Sequence, residues 1–231
     1  MSKEKIAILT NFMEFNPGYS LTGIVKDQAQ MLARRGHEVH LFVNSKYHGE
    51  SFSEDVTLRK QIPFAHLKDY SSQRDITPEH HQIIKDTAKM LVTELADFDI
   101  VFTHDFVFTG WFLIYGLGCK EATKDLPNVR WLHWVHSVPS SLRDWWRIKE
   151  YGPTHKLVFP NNTDRLRVAE QFHGELKDVR TIHHIKDIRS WFDFEDQTWE
   201  FLDEFPGALH SEIVCVYPAS TDRLAAKRAD K

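Results

Sequence analysis

Apolar residues fall into short unbroken runs that alternate with longer segments of helical spacing. Lys5 to Thr10 (KIAILT) is apolar on both faces and reads as a buried strand, closed by the turn signal Asn16-Pro17-Gly18. Over 21–35, Leu21, Ile24, Val25, Ala29, Leu32 and Ala33 recur near helical spacing, and Gly36 stands where a helix stops. Strands are expected at 39–43 and 56–62, the second ended by Pro63. Thr77-Pro78-Glu79 predicts a cap followed by proline at the first position of a helix reaching about Leu95. The pattern continues as strand 99–103, helix 106–117, strand 129–135, helix 140–150, strand 156–159, helix 163–173 and strand 179–183.

Alternating strands and helices, with strands apolar on both faces, predict an α/β fold: a doubly wound, mostly parallel sheet with helices on both faces, Rossmann-like. That architecture is complete by about residue 190. Residues 193–204 then interleave six acids with Phe194, Trp199, Phe201 and Leu202, as a connecting helix with a solvated face would. Ile213 to Tyr217 reads as another strand, followed by the basic residues Arg223, Lys227 and Arg228. With no crossover helix after it, this strand either joins the first sheet or opens a second domain. Length agrees: 231 residues, at about 150 per domain, is roughly one and a half domains.

Composition narrows the class. Hydrophobic content of 42% and charged content of 27% belong to a globular chain and exclude collagen-like, coiled-coil and disordered architectures. The two cysteines, Cys119 and Cys215, show no C-x-x-C spacing, which argues against a disulfide framework or a cysteine zinc site and favours a reducing compartment, so a cytoplasmic location is expected. No signal-peptide core follows Met1, and the longest uncharged run, Phe106 to Cys119, falls short of the roughly 20 residues that span a bilayer. The net charge of −4 argues against a whole-surface nucleic-acid binder, although 117–192 is net positive. The 14 histidines and 7 tryptophans are unusual and require a site or a core to explain them.

In an open parallel sheet, ligands bind beyond the carboxyl ends of the strands, so the informative residues are those just after each strand. The loop from Asn11 to Gly23 leads into a helix N-terminus, which suits an anion; a turn glycine with Thr22 as helix cap is the alternative. The dinucleotide fingerprint G-x-G-x-x-G is missing, and the second strand ends Phe42-Val43-Asn44-Ser45 without the acid that holds a ribose. No Walker loop, G-x-S-x-G or H-E-x-x-H occurs. His133 and His136, three apart on a strand, face opposite sides and cannot share an ion. Neither a metal nor a cofactor is expected. His104-Asp105 and His136-Ser137 follow strongly apolar strands and are expected in one crevice, as hydroxyl or phosphate partners or as helix caps. Asn161 follows the next strand. In Ser140 to Tyr151 (SSLRDWWRIKEY), Arg143 and Arg147 fall on one helix face beside Trp145 and Trp146, either as a surface for sugars or bases or as a helix docked on the sheet.

Ile6 to Val43, and within it Leu32 to Val39 (LARRGHEV), resembles the opening of a known family. Asp99 to Phe106 (DIVFTHDF), Trp131 to Ser137 (WLHWVHS), Lys156 to Thr163 (KLVFPNNT), Val179 to Phe192 and Ile213 to Arg228 occupy its later landmarks in order. The chain is similar to the N-terminal, acceptor-side domain of a retaining GT-B-fold glycosyltransferase of family 4 type. In the interdomain segment, His184-Ile185-Lys186 stands where that family usually has Asn-Gly. The resemblance implies 1–190 as a Rossmann-like acceptor-side domain, 191–212 as an interdomain linker or helix, and 213–231 as the start of a donor-binding domain whose remainder is missing. It implies hexosyl or pentosyl transfer from a nucleotide-diphosphate sugar, a co-substrate rather than a cofactor, to an acceptor hydroxyl. Thr22, Gly23, Arg223, Lys227 and Arg228 would hold the donor phosphates, His136 and Asp105 would serve catalysis, and His104, Ser137, Asn161, Arg143, Trp145 and Arg147 would meet the acceptor. The acceptor could be a glycan, a lipid, a small molecule or DNA with a modified base of the phage type. Without the C-terminal half, the chain is expected to be weak or inactive. A non-catalytic binding or assembly module built on the same fold, or another nucleotide-binding α/β enzyme, is the rival reading.

Overall fold

A strand that is apolar on both faces is stable only when both faces are covered, and that requirement organises the molecule. The computed structural model describes residues 3–16, 19–63, 73–108, 113–136, 146–186 and 196–212. Among these residues there are seven strands: β1 (Lys5–Leu9), β2 (Glu38–Asn44), β3 (Val56–Ile62), β4 (Ile100–His104), β5 (Arg130–Trp134), β6 (His155–Phe159) and β7 (Val179–Thr181). They form one sheet in the order β3-β2-β1-β4-β5-β6-β7. Every neighbouring pair is parallel. The helices are α1 (Ser20–Arg34), α2 (Pro78–Leu95), α3 (Leu113–Ala122), α4 (Arg165–Gln171) and α5 (Asp196–Glu204).

The period-two alternation of strand side chains sorts the core into two layers. Ala7, Leu9, Val101, Trp131 and Leu157 face α2, α3 and α4, meeting Leu91, Leu95, Leu113, Cys119 and Val168. Ile6, Ile8, Leu41, Phe102, Trp134 and Val158 face α1, meeting Leu21, Val25 and Ala29. Each such aliphatic side chain taken fully out of water contributes about 1.5–3 kcal/mol before the entropy of ordering is subtracted. The sheet with helices on both faces is the doubly wound α/β architecture that the alternation predicts.

Local signals set several boundaries. Gly36 has φ +88, its N–H donates to Ala33 O at 2.8 Å, and His37 N–H donates to Leu32 O at 3.3 Å, which closes α1 in a Schellman turn. Thr77 starts α2: its Oγ1 accepts from His80 N–H, while His80 Nδ1 accepts from Thr77 N–H at 3.2 Å. A histidine thus takes the place that Glu or Gln holds in most capping boxes.

Two expectations are corrected. The helix expected at 106–117 does not include Phe106 to Phe108, which form a turn with Asp105 at φ +49 and Phe108 at φ +63; the described helix begins at Leu113. Phe106, Val107 and Phe108 are all buried, so this apolar run carries no periodicity to mark where a helix starts. The helix expected at 140–150 also fails in its described part. Arg147 is extended (φ −126, ψ 106) and Ile148–Tyr151 is a single 3₁₀ turn. Trp146 instead inserts into the core, 2% exposed, against α3, where a Cβ added at Gly116 would lie 2.5 Å from its ring. The strand expected at 213–217 lies outside the described residues. Among the described residues, no helix is long and apolar enough to cross a membrane.

Candidate active site

Strand order reverses between β1 and β4, since β1 continues to β2 on one side while β4 continues to β5 on the other. At such a switch point the connections leave in opposite directions and open a crevice at the carboxyl ends. Two loops meet there. Tyr19, the N-cap of α1, donates its hydroxyl to Asp105 Oδ2 at 3.0 Å, joining the loop before α1 to the turn after β4. Asp105 holds a left-handed conformation uncommon for a non-glycine residue, the kind of local strain that concentrates at functional sites. Burial raises its carboxyl pKa above the ordinary aspartate value, and the Tyr19 hydrogen bond works against that rise.

The N-terminus of α1 borders the same crevice. No cap side chain bonds its first turn, and that turn carries no acid, so the helix dipole there is left uncompensated by an anion of its own. Thr22 is buried, and its hydroxyl bonds Asn16 O at 2.8 Å and Tyr19 O at 2.7 Å, so it shapes the loop. Among the described residues, a Cβ at Gly23 would meet only Lys186 Nζ, at 3.7 Å, and that ammonium stands 3.6 Å from Asp27 Oδ2. Lys186 is a cation that sequence spacing did not assign to this place; it arrives on the segment after β7.

Between these features lies His136, just beyond β5. Its Nε2 is 3.1 Å from His104 Nδ1, and His104 Nε2 is 2.8 Å from Gln28 Oε1 on α1. His104 also stacks on Trp134, with centroids 4.9 Å apart and planes 23° from parallel. His184 stands 5.5 Å from His136, ring to ring. Burial, reinforced by His184, pushes the His136 pKa down to about 4, and burial holds His104 well below the usual histidine value. Both rings are therefore neutral at pH 7.

The sequence-predicted residues separate accordingly. His136, Asp105, Thr22 and Gly23 gather at the switch point. His104 is 1% exposed and turned to Gln28 and His136, so it does not itself line the crevice wall. Asn161 uses both amide atoms on the turn into α4, with Nδ2 donating to Asp164 Oδ2 at 3.1 Å and Oδ1 accepting from Asp164 N–H at 2.9 Å. Arg147 is exposed, extended and 4.0 Å from Glu150, not on a helix face. Ser137, Arg143, Trp145, Arg223, Lys227 and Arg228 lie outside the described residues. Gln28 was not anticipated, although it was readable as a polar residue on the apolar stripe of α1, three positions after Val25 and seven after Leu21.

His133 lies on the other face, as its spacing from His136 predicts. Its Nδ1 meets Thr103 Oγ1 at 2.9 Å and its Nε2 meets His155 Nδ1 at 2.8 Å, and both rings stack on Trp131. That pair belongs to the core. Among the described residues, no three His, Cys, Asp or Glu side chains converge as a metal site would require.

The fold defines a doubly wound α/β domain with a candidate ligand site at the switch point between β1 and β4. The family model for Glycosyltransferase Family 4 matches residues 24–188, most of the chain, and the chain belongs to that family. Among solved structures it is similar to a glycosyltransferase from Rickettsia africae ESF-5, at 14% identity and TM-score 0.54, over 89% of this chain and 50% of that one. The chain thus spans about half the length of that protein, and the likeness concerns the fold. An α-glucosyltransferase in complex with UDP and a 13-mer DNA containing an HMU base aligns at 15% identity and TM-score 0.33, over 59% of this chain and 31% of that one, too weak a match to carry an argument. No curated protein matches the sequence.

Proposed function

We propose that the chain supplies the acceptor-side half of a retaining glycosyltransferase that moves a sugar from a nucleotide-sugar donor to an acceptor hydroxyl. The observation that carries this reading is the position of neutral His136 at the switch point beside the open N-terminus of α1, within the family-matched residues. The first turn of α1 with Gly23 offers backbone N–H groups and a positive dipole end to the donor phosphates, and Lys186 adds a charge at the same place. His136 hydrogen-bonds a hydroxyl near the anomeric carbon. Asp105, with its raised pKa and its Tyr19 contact, orients the acceptor hydroxyl. Arg223 with Lys227 or Arg228 neutralises charge on the departing diphosphate, where electrostatic stabilisation has most effect. Transfer needs a donor-binding half in addition to residues 1–190, with 191–212 as the connection and 213–231 as the start of that half. The protein needs no metal or resident cofactor and works in the cytoplasm.

The test is calorimetric titration of the protein, extended through a donor-binding half, with a panel of nucleotide sugars, followed by assignment of the product's anomeric configuration. Saturable binding of one nucleotide sugar and retained configuration are expected. Inversion overturns the retaining mechanism, and no binding at millimolar concentration favours a non-catalytic module. Candidate acceptors in the same assay are glycans, lipids, small molecules and duplex DNA with hydroxymethylated bases. If DNA is the acceptor, replacing Arg143 and Arg147 by alanine weakens binding and flattens its salt dependence.

A further inference from the structure

Gln28, His104 and His136 form a hydrogen-bonded row from α1 through β4 to the end of β5. We propose that Gln28, acting through His104, is a positioning residue that locks His136 in the tautomer with hydrogen on Nε2, so that its Nδ1 is left as the acceptor at the candidate reaction centre. The inference rests on the glycosyl-transfer reading for its purpose, but not for its geometry.

The chain of donors follows from valence. A neutral imidazole carries one N–H and one lone pair. Gln28 Oε1 only accepts, so the 2.8 Å contact makes His104 Nε2 the donor. His104 Nδ1 is then a lone pair, and the 3.1 Å contact requires the hydrogen on His136 Nε2. The His104 and His136 ring planes lie 25° from parallel with centroids 5.3 Å apart, a geometry in which one nitrogen of each ring meets the other. Among the described residues, no protein group bonds His136 Nδ1.

The environment keeps the order from scrambling. His104 is 1% exposed and is held by Trp134 on its face, so its ring cannot turn over without breaking both hydrogen bonds inside the core. Gln28 is equally enclosed, at 5%. An amide does not titrate, so the row ends without a proton exit. His136 is thereby set to accept from a hydroxyl and orient it, rather than to deliver a proton. A carboxylate in place of Gln28 would accept the same hydrogen from neutral His104, and an aliphatic residue would leave His104 free to reverse.

The experiment reads tautomers directly, on the chain with no donor or acceptor added, by two-bond ¹H–¹⁵N correlation of the imidazole nitrogens. In the unmodified chain at pH 7, His104 and His136 are both expected as the single Nε2–H form. Gln28→Leu is expected to abolish that single form at His136, giving a tautomer mixture, while the His133 and His155 signals on the far face stay unchanged and report an intact fold. Gln28→Glu is expected to keep the Nε2–H form. An Nδ1–H or mixed His136 in the unmodified chain overturns the proposal, as does an unchanged tautomer in folded Gln28→Leu. If Gln28→Leu fails to fold, a mixed His136 tautomer in Gln28→Glu also overturns it. Because no turnover is measured, failure of the transferase reading and failure of this one are told apart.

Discussion

At the scale of single residues, the histidines divide by which side of the sheet they occupy. His133 and His155 are core groups bonded to each other and stacked on Trp131, and burial pushes the His155 pKa down to about 3. An unfolded histidine titrates near 6.5, so below that pH the unfolded chain binds the proton and the folded chain does not. Stability is full above about pH 6.5 and falls as pH drops towards the folded value. For His155 alone the loss between pH 7 and pH 5 is about 2 kcal/mol. Denaturant unfolding of His155→Gln at both pH values is expected to show a pH dependence smaller by that amount; an equal dependence would rule the linkage out. At the candidate site, His136→Ala removes the proposed hydroxyl acceptor and is expected to lower kcat by about 10²-fold, read in a transfer assay beside a thermal melt. Asp105→Gly relieves a φ of +49 and loses the Tyr19 hydrogen bond. The two effects nearly cancel in stability, within about 1 kcal/mol. Transfer activity should nevertheless fall, which an activity assay beside a thermal melt would separate.

At the scale of elements, what the sequence discloses depends on whether the signal is local. Thr77 and Pro78 fix the start of α2, and Gly36 the end of α1, through backbone bonds within a few residues of themselves. Thr77→Ala is accordingly expected to cost about 1 kcal/mol, measured by chemical denaturation. Phe106 to Phe108 and Trp146 depart from the expected helices for the opposite reason. Their conformations are decided by partners far along the chain, such as Gly116 for Trp146, and one-dimensional spacing holds no record of those partners. The same distinction runs through the site. The strand-end positions of His136 and Asp105 follow from periodicity, whereas the burial of His104 and the reach of Lys186 required the fold. Gly116→Ala tests the packing directly, because the added methyl would meet the Trp146 ring; a loss of about 1–3 kcal/mol is expected, and Trp146→Phe should recover part of it.

At the scale of the molecule, the core on the two faces of the sheet accounts for three of the seven tryptophans. Trp131, Trp134 and Trp146 are among the largest fully buried side chains, two in the layer under α2 and α3 and one in the layer under α1. The sheet order has a temporal consequence as well. β1 is made first but lies inside the sheet, between β2 and β4, and its Leu9 pairs with Thr103. At synthesis rates of about 5–20 residues per second, one edge of β1 waits roughly 5–20 s for its neighbour to leave the ribosome. During that interval a strand of Ile, Ala, Ile and Leu has an unpaired backbone edge, the form most prone to pairing with another chain. Nascent chains arrested before residue 100 should therefore associate or be cut by protease, and those arrested after β4 has emerged should be protected. The feature that builds the crevice thus leaves the newborn chain with an open strand edge until β4 has emerged.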